Sequence, residues 1–245
     1  MNLDAIKAKL KSLNSKSNRS NSTWKAIPGK QIIRIVPYKH RMDNPFLELY
    51  FHYGFGGRTF CSPLSYGGTD PINDFGMSVR DGGDRADYVL SLGYVPKMRV
   101  YLPVIVRGEE EKGVRFWGFG KQVYESLLNI ISDPDYGDIT DVMNGRDIVV
   151  ELIPKTGPDT YPKTTILPKP NQTPAVDKSN AHATQLQKSL DEMPPIEEVF
   201  PANTVDELKA ALERQVNSMT GESTVPESAA QTMSAAQQYR KCTCQ

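Results

Sequence analysis

The stretch that decides the fold is GVRFWGFGKQVYESLLNII (residues 113–131), followed after a polar gap by GRDIVVELI (residues 145–153). Its aromatic start and its β-branched end each predict a strand. Between them, apolar residues recur at helical spacing and predict one helix over 121–131: Val123, Tyr124, Leu127, Leu128 and Ile131. A strand, a single helix and a last strand are not a repeating βαβ pattern, so they favour a small β-barrel.

Further strands are predicted on the N-terminal side of this stretch. QIIRIV (residues 31–36) is β-branched and ends at Pro37, LELYFHYGF (residues 47–55) is rich in aromatic residues, and residues 94–106 form a third strand region. Residues 56–83 are dominated by Gly, Ser, Pro and Asp and predict a loop-rich insertion. We therefore expect a mainly β chain with a few helices and a core at residues 24–174.

Both ends of the chain differ from this core. Residues 1–23 predict a basic arm, in which an amphipathic helix over 2–13 precedes a Ser/Asn-rich linker. Its cations are Lys7, Lys9, Lys11, Lys16 and Arg19. Residues 175–245 predict a disordered tail with one helix over 204–216, which begins with a Thr204/Glu207 capping box. That helix is the expected docking site for partner proteins.

Composition excludes several protein classes. Among 245 residues there is no apolar run long enough to span a membrane and no secretory signal at the start, and three cysteines form no disulfide framework. The formal net charge is zero. However, residues 1–42 hold ten basic residues and one acid, a net of +9, so the remainder is −9. This asymmetry is typical of a polyanion-binding arm or of contact between chain ends.

No catalytic motif is present, so we expect no enzyme. One alternative is a metal-dependent enzyme of nucleic-acid metabolism that uses the loop carboxylates Asp70, Asp74, Asp81 and Asp84. A stronger pattern is the interleaving of rings with cations in the strands, because single-stranded nucleic acids are bound by stacking on rings beside cations that follow the backbone. The predicted phosphate contacts are Arg34, Lys39, Arg41, Lys97, Arg99 and Lys121. The predicted stacking rings are Tyr50, Tyr94, Tyr101 and Trp117, with Tyr161 and Lys163 as secondary contacts.

A family resemblance adds to this prediction. Residues 24–39, the segment FWGFGK (residues 116–121) and the strand from Gly145 occur in the order and with the gaps of a known core domain. Over about 24–170 the chain resembles the T-even-type phage single-stranded DNA-binding (helix-destabilising) proteins. The resemblance implies an OB-fold core, an arm that drives cooperative binding by contact between neighbouring protomers, and a C-terminal region that binds phage replication and recombination proteins.

The resemblance also implies a zinc subdomain, from which this chain departs. His52 and Cys61 match the first two ligand positions, but Asp70-Pro71-Ile72-Asn73 stands where the family has a Cys-Pro-x-Cys pair. Two ligands do not hold structural zinc. Cys242 and Cys244 would have to return from the tail to complete the set, so we expect no zinc and no other cofactor.

The sequence thus predicts a non-catalytic protein that coats single-stranded DNA during replication, recombination and repair. Its expected location is the cytoplasm of an infected bacterial host, with no membrane contact. The alternative is a replisome adaptor that uses the β-barrel and the tail helix for contacts with other proteins.

Overall fold

The computed structural model describes residues 21–157 and 161–220, and within these ranges the chain is mainly β with a few helices, as predicted. The eight strands are β1 (Thr23–Trp24), β2 (Gly29–Ile35), β3 (Leu47–Phe55), β4 (Arg58–Cys61), β5 (Lys97–Val106), β6 (Arg115–Phe119), β7 (Arg146–Ile153) and β8 (Lys163–Gln172). Six α-helices lie wholly within the described residues: α1 (Pro71–Arg80), α2 (Arg85–Ser91), α3 (Lys121–Ser132), α4 (Ala183–Asp191), α5 (Ile196–Val199) and α6 (Val205–Thr220). None of the helices described is long and apolar enough to cross a membrane.

The chain divides into two compact units. Unit 1 comprises Met1–Glu48 and Arg99–Phe200, and unit 2 comprises Leu49–Met98 and Pro201–Gln245. The predicted core at 24–174 is therefore shared between both units. The predicted arm residues 1–20, with all five of their cations, lie outside the described residues, as does the end of the tail with Cys242 and Cys244.

Unit 1 is built on a sheet with the strand order β1-β6-β5-β2-β7-β8. β1 runs parallel to β6, and the other neighbours on this path are antiparallel. Among the pairings described for unit 1, β1 and β8 are the two ends of this order and do not pair with each other. Successive side chains of a strand point to opposite faces, so the register assigns every residue to one of two faces.

The inner face of this sheet is apolar and buried. Ile33 lies opposite Val106 on β5 and opposite Ile148 on β7, and all three side chains are buried. Helix α3 follows β6 directly, and its Val123 and Leu127 are buried one turn apart. The predicted strands at 31–36 and 145–153 and the predicted helix at 121–131 are confirmed.

Unit 2 corrects the prediction of a loop-rich insertion at 56–83. These residues contain β4, which pairs with β3, and the ten-residue helix α1. Asp70 caps that helix, because its Oδ1 accepts hydrogen bonds from the backbone N–H groups of Ile72 (2.9 Å) and Asn73 (3.1 Å), and Pro71 occupies the first helical position. This Asp-Pro start is a helix signal that composition alone hides.

The prediction of a disordered tail from residue 175 is wrong as far as residue 220. Three helices occupy this range, and their apolar side chains are buried: Leu186, Met193, Ile196, Val199, Phe200, Leu208, Ala211, Leu212 and Val216. The predicted tail helix is confirmed as α6. Its capping box forms as expected, since Thr204 Oγ1 accepts from the Glu207 N–H at 3.2 Å and Glu207 Oε2 accepts from the Thr204 N–H at 3.0 Å.

Candidate nucleic-acid interface

Arg34 is not a phosphate contact, because its side chain is fully buried. Its Nη1 donates to Asp147 Oδ1 and to Thr173 Oγ1, each at 3.3 Å. Arg107 donates to both oxygens of the same carboxylate at 3.0–3.3 Å. Burial lowers the pKa of Arg34, and the nearby Asp147 carboxylate opposes that effect. Arg34 is therefore part of a structural ion network, and the prediction for this residue is wrong.

Two of the predicted stacking rings belong to the core. Trp117 is 2% exposed and lies on the inner face of β6, where it contacts Trp24 edge-on at 5.8 Å and Phe119 at 4.6 Å between ring centroids. Tyr94 is buried in unit 2 against Phe55 and Phe75. Neither ring is accessible to a base, so both predictions are corrected.

Tyr101 and Arg99 lie on the outer face of β5, beside the backbone of β6. A Cβ on Gly118 would come within 2.5 Å of Tyr101 Cε1, so only glycine allows the ring to lie this close. Arg99 Nη2 donates to the Gly118 carbonyl at 3.1 Å. The Phe200 ring is 4.3 Å from the Tyr101 ring at an angle of 44°. A base could stack on that side of Tyr101 only after Phe200 moved.

The segment 183–200 covers this outer face of β5 and β6. On the same face as Tyr101, Ile105 and Phe116 are buried. Polar contacts fix the segment to unit 1, since the Val114 N–H donates to Ser189 Oγ at 2.8 Å and the Ile196 N–H donates to Tyr38 Oη at 2.8 Å. β5 is therefore buried on both faces, in agreement with its nearly continuous apolar run.

The loop after β2 carries two exposed cations that were predicted to bind phosphate. Lys39 Nζ donates to the Asp191 carbonyl, and the neighbouring His40 Nε2 lies 2.8 Å from the Met193 carbonyl. Arg41 donates to the backbone carbonyls of Asn44 and Phe46. Carbonyl contacts leave both charges uncompensated, so the two cations still attract an anion.

The other predicted contacts are exposed or half-buried but are not brought together. Lys121 in unit 1 forms an exposed pair with Glu125 at 3.5 Å, which contributes little stability. Tyr161 is 90% exposed and precedes Lys163, which is also exposed. Lys97 and the half-buried Tyr50 belong to unit 2. In unit 1 the predicted contacts that remain accessible are thus the loop cations, Lys121 and the Tyr161–Lys163 pair, with Arg99 half-buried.

Sequence reasoning missed the outer face of β2, β7 and β8. Its residues form three rows across the strands. The first row is Ile32, Val149 and Leu167, the second is Lys30, Glu151 and Thr165, and the third is Ile153 and Lys163. Leu167 is 65% exposed, and Lys30, Ile153 and Lys163 are exposed as well. The sequence feature that could have indicated this face is the run IVVELI in β7. It is apolar on both faces of the strand, although only one of them faces the core.

His52 and Asp70, at two of the positions where the resemblance implies zinc ligands, form a hydrogen-bonded cluster with Ser62 in unit 2. His52 Nε2 lies 2.8 Å from Asp70 Oδ2, which also accepts a hydrogen bond from Ser62 Oγ, and all three residues are buried. Burial by itself would raise the pKa of Asp70, but the hydrogen bonds from His52, Ser62 and the Asn73 N–H outweigh it and lower the pKa. Cys61 Sγ contacts Ser65 Oγ at 3.8 Å instead.

This donor set does not fit structural zinc. Among residues 21–157 and 161–220, no three His, Cys, Asp or Glu side chains are grouped as metal ligands. Asp70 stands where the resemblance implies a cysteine ligand. Its Oδ1 accepts the hydrogen bonds that cap α1, and its Oδ2 bonds to His52 and Ser62. Asp84, one of the carboxylates considered for a metal-dependent enzyme, caps α2 by accepting from the Asp87 N–H at 2.7 Å.

Comparison with known proteins adds no family name to this geometry. No model of a protein family matches the chain, and no curated protein matches it in sequence.

Proposed function

We propose that the protein is a non-catalytic single-stranded DNA-binding protein that coats strands during phage replication, recombination and repair. The observation that carries the proposal is the strand order β6-β5-β2-β7-β8, with α3 as the link between β6 and β7. It is the order of strands three, two, one, four and five of an OB-fold, with its helix between strands three and four. OB-folds bind oligonucleotides and oligosaccharides with the face of strands two and three and the adjoining loops.

The exposed side chains of unit 1 favour an oligonucleotide over a neutral sugar. In an OB-fold the loop after strand one and the loop between strands four and five border the ligand. Here the segment after β2 contains Lys39 and Arg41, and the connection from β7 to β8 contains Tyr161 and leads into Lys163, the first residue of β8. Cations at both loops would contact phosphates and release counterions, while an exposed ring would stack on an unpaired base.

The adaptor alternative loses its main support. It requires the apolar side of α6 to be open to a partner, but Leu208, Leu212 and Val216 are buried in the core of unit 2. Docking of phage replication and recombination proteins, self-association along the strand and a location in the host cytoplasm belong to the proposed coating function.

The test is binding of fluorescently labelled oligo(dT), followed by anisotropy at two salt concentrations. Anisotropy is preferred to tryptophan quenching, because both tryptophans are buried. Binding should weaken steeply with salt. Tyr161→Ala should cost ~1–3 kcal/mol, about 5- to 150-fold in Kd.

Tyr88→Ala is the matched control, because Tyr88 is an exposed tyrosine on α2 in unit 2. It should bind oligo(dT) like the wild type. Absence of binding by the wild type, or affinity that does not respond to salt, would show that the proposed function is wrong.

A further inference from the structure

The outer side of the unit 1 sheet is covered at one end and open at the other. Over β5 and β6 the segment 183–200 packs on it through the ring contact of Phe200 with Tyr101, and Ile105 and Phe116 on this side are buried. Over β2 and β7 the same side buries Arg34 and Asp147 at one end, whereas the following rows across β2, β7 and β8 carry exposed or half-buried residues. We call this open part the β2–β7–β8 face and define it by Lys30, Ile32, Val149, Ile153, Lys163 and Leu167.

The β2–β7–β8 face combines an apolar row with cations. Ile32, Val149 and Leu167 lie side by side across three strands, and Leu167, at 65% exposed, is at the edge of the row. Lys30 lies one row away on β2, and Lys163 lies two rows away on β8. An exposed apolar group of this kind on a folded protein marks a contact surface.

The charges on this face select an anionic partner. On the rows that define the face, the exposed Lys30 and Lys163 outnumber the carboxylate of Glu151. Because the face is basic, a basic segment such as residues 1–20 is disfavoured as its occupant. Sheet-based modules bind single strands by stacking bases on exposed rings beside cations that contact phosphates. Here the row is aliphatic, so bases would lie on it by apolar contact, with phosphates at the cations.

We propose that the β2–β7–β8 face is a contact surface for single-stranded nucleic acid, separate from the covered β5–β6 face. Lys30 and Lys163 contact phosphates, and bases lie on the row of Ile32, Val149 and Leu167. The inference rests on the proposed function and says where a strand runs on unit 1. Lys163 joins the face to Tyr161, so one strand can contact the β7–β8 loop and the face together.

The test uses two variants of the full chain at exposed positions, Lys30→Ala and Leu167→Ala. Both side chains point to solvent, so the fold should be retained, which circular dichroism checks. Lys178→Ala and Leu128→Ala are the matched controls, because both residues are exposed in unit 1 and neither belongs to the strands of this face. Binding to labelled oligo(dT) is measured over a series of salt concentrations.

Lys30→Ala should reduce the slope of log K against log salt by about 0.7, the value for one lost phosphate contact with a single strand. Leu167→Ala should weaken binding at least threefold with an unchanged slope. If both variants match their controls while the wild type binds and Tyr161→Ala is weakened, the inference is wrong and the proposed function stands. If the wild type fails to bind, both are wrong. Loss of self-association with unchanged DNA affinity would assign the face to a second copy of the chain and overturn the inference.

Discussion

Substitution of Asp147 by Asn should strongly destabilise unit 1. The carboxylate accepts from Arg34 on β2 and from Arg107 after β5, so it joins three strands from one position on β7. Asparagine keeps nearly the same volume but removes the charge. Arg34 would then remain fully buried without its counter-ion, and two of its nitrogens, Nε and Nη2, already lack a hydrogen-bond partner.

The expected magnitude follows from the burial of the three groups. Removal of one partner from a buried ion pair costs about 3–5 kcal/mol, because a charge is left without compensation. The side chain of Arg107 is 18% exposed and that of Asp147 is 11% exposed, so water relieves part of this cost. We therefore expect about 3 kcal/mol, which lowers the Tm by roughly 6–12 °C for a domain of this size.

Tryptophan fluorescence during urea unfolding is the assay of choice. Trp24 and Trp117 are the two tryptophans of the chain, and both are buried in unit 1, so the signal reports the unit that contains the ion network. A second variant, Arg34→Met with Asp147→Asn, should recover part of the lost stability, because it removes the orphaned charge. A loss below about 1 kcal/mol in the single variant, or no recovery in the double variant, would refute the argument.

Two further predictions concern buried groups. Trp117→Ala should cost about 3–5 kcal/mol of stability through the cavity it leaves. Its affinity for oligo(dT), measured at a temperature where the variant is folded, should be unchanged. A lower affinity would indicate that Trp117 stacks on a base. The lowered pKa of Asp70 should stabilise unit 2 at neutral pH, and this contribution should disappear as the pH falls below the ordinary aspartate pKa and through the lower folded-state pKa, because the carboxyl group becomes protonated. Asp70→Asn should remove that acid-dependent part of the unfolding free energy, as measured by denaturation at pH 7 and pH 3.

The periodic parts of the sequence predicted the fold well. Val123 and Leu127 indicated the buried side of α3, and the β-branched run at 145–153 indicated β7, because burial of one side leaves a regular spacing of apolar residues. Helix α1 was missed although Ile72, Phe75 and Val79 recur at helical spacing, because Gly, Ser, Pro and Asp dominate the composition of 56–83 and the start of the helix depends on one capping aspartate, Asp70. The helices within 183–200 were missed because Leu186, Ile196 and Phe200 are widely separated in a polar segment with two prolines.

The candidate site was harder to predict because sequence does not assign a face. In the sequence Arg34 looks like a surface cation. Only the pairing of β2 with β7 reveals that its partner is the carboxylate of Asp147, 113 residues away. β5 and β6 are buried on both faces, and each face carries aromatic rings. Tyr101 and Trp117 therefore look alike in the sequence, although Trp117 faces the core and Tyr101 faces Phe200.

The same assignment of faces changes how the charge of the chain should be interpreted. Of the basic residues in 1–42, Arg34 is buried and its charge is offset in part by Asp147 at 3.3 Å, a carboxylate that it shares with Arg107. Lys25, Lys30, Lys39 and Arg41 are exposed, and no carboxylate is paired with them in the part of the chain that the structure describes. If the chain binds a polyanion, attraction within the residues that the structure describes should be greatest near these four residues, while the acidic remainder of the chain repels it. Since Lys30 lies on the β2–β7–β8 face, the charge distribution favours an approach of the strand from the side of the sheet that segment 183–200 leaves open.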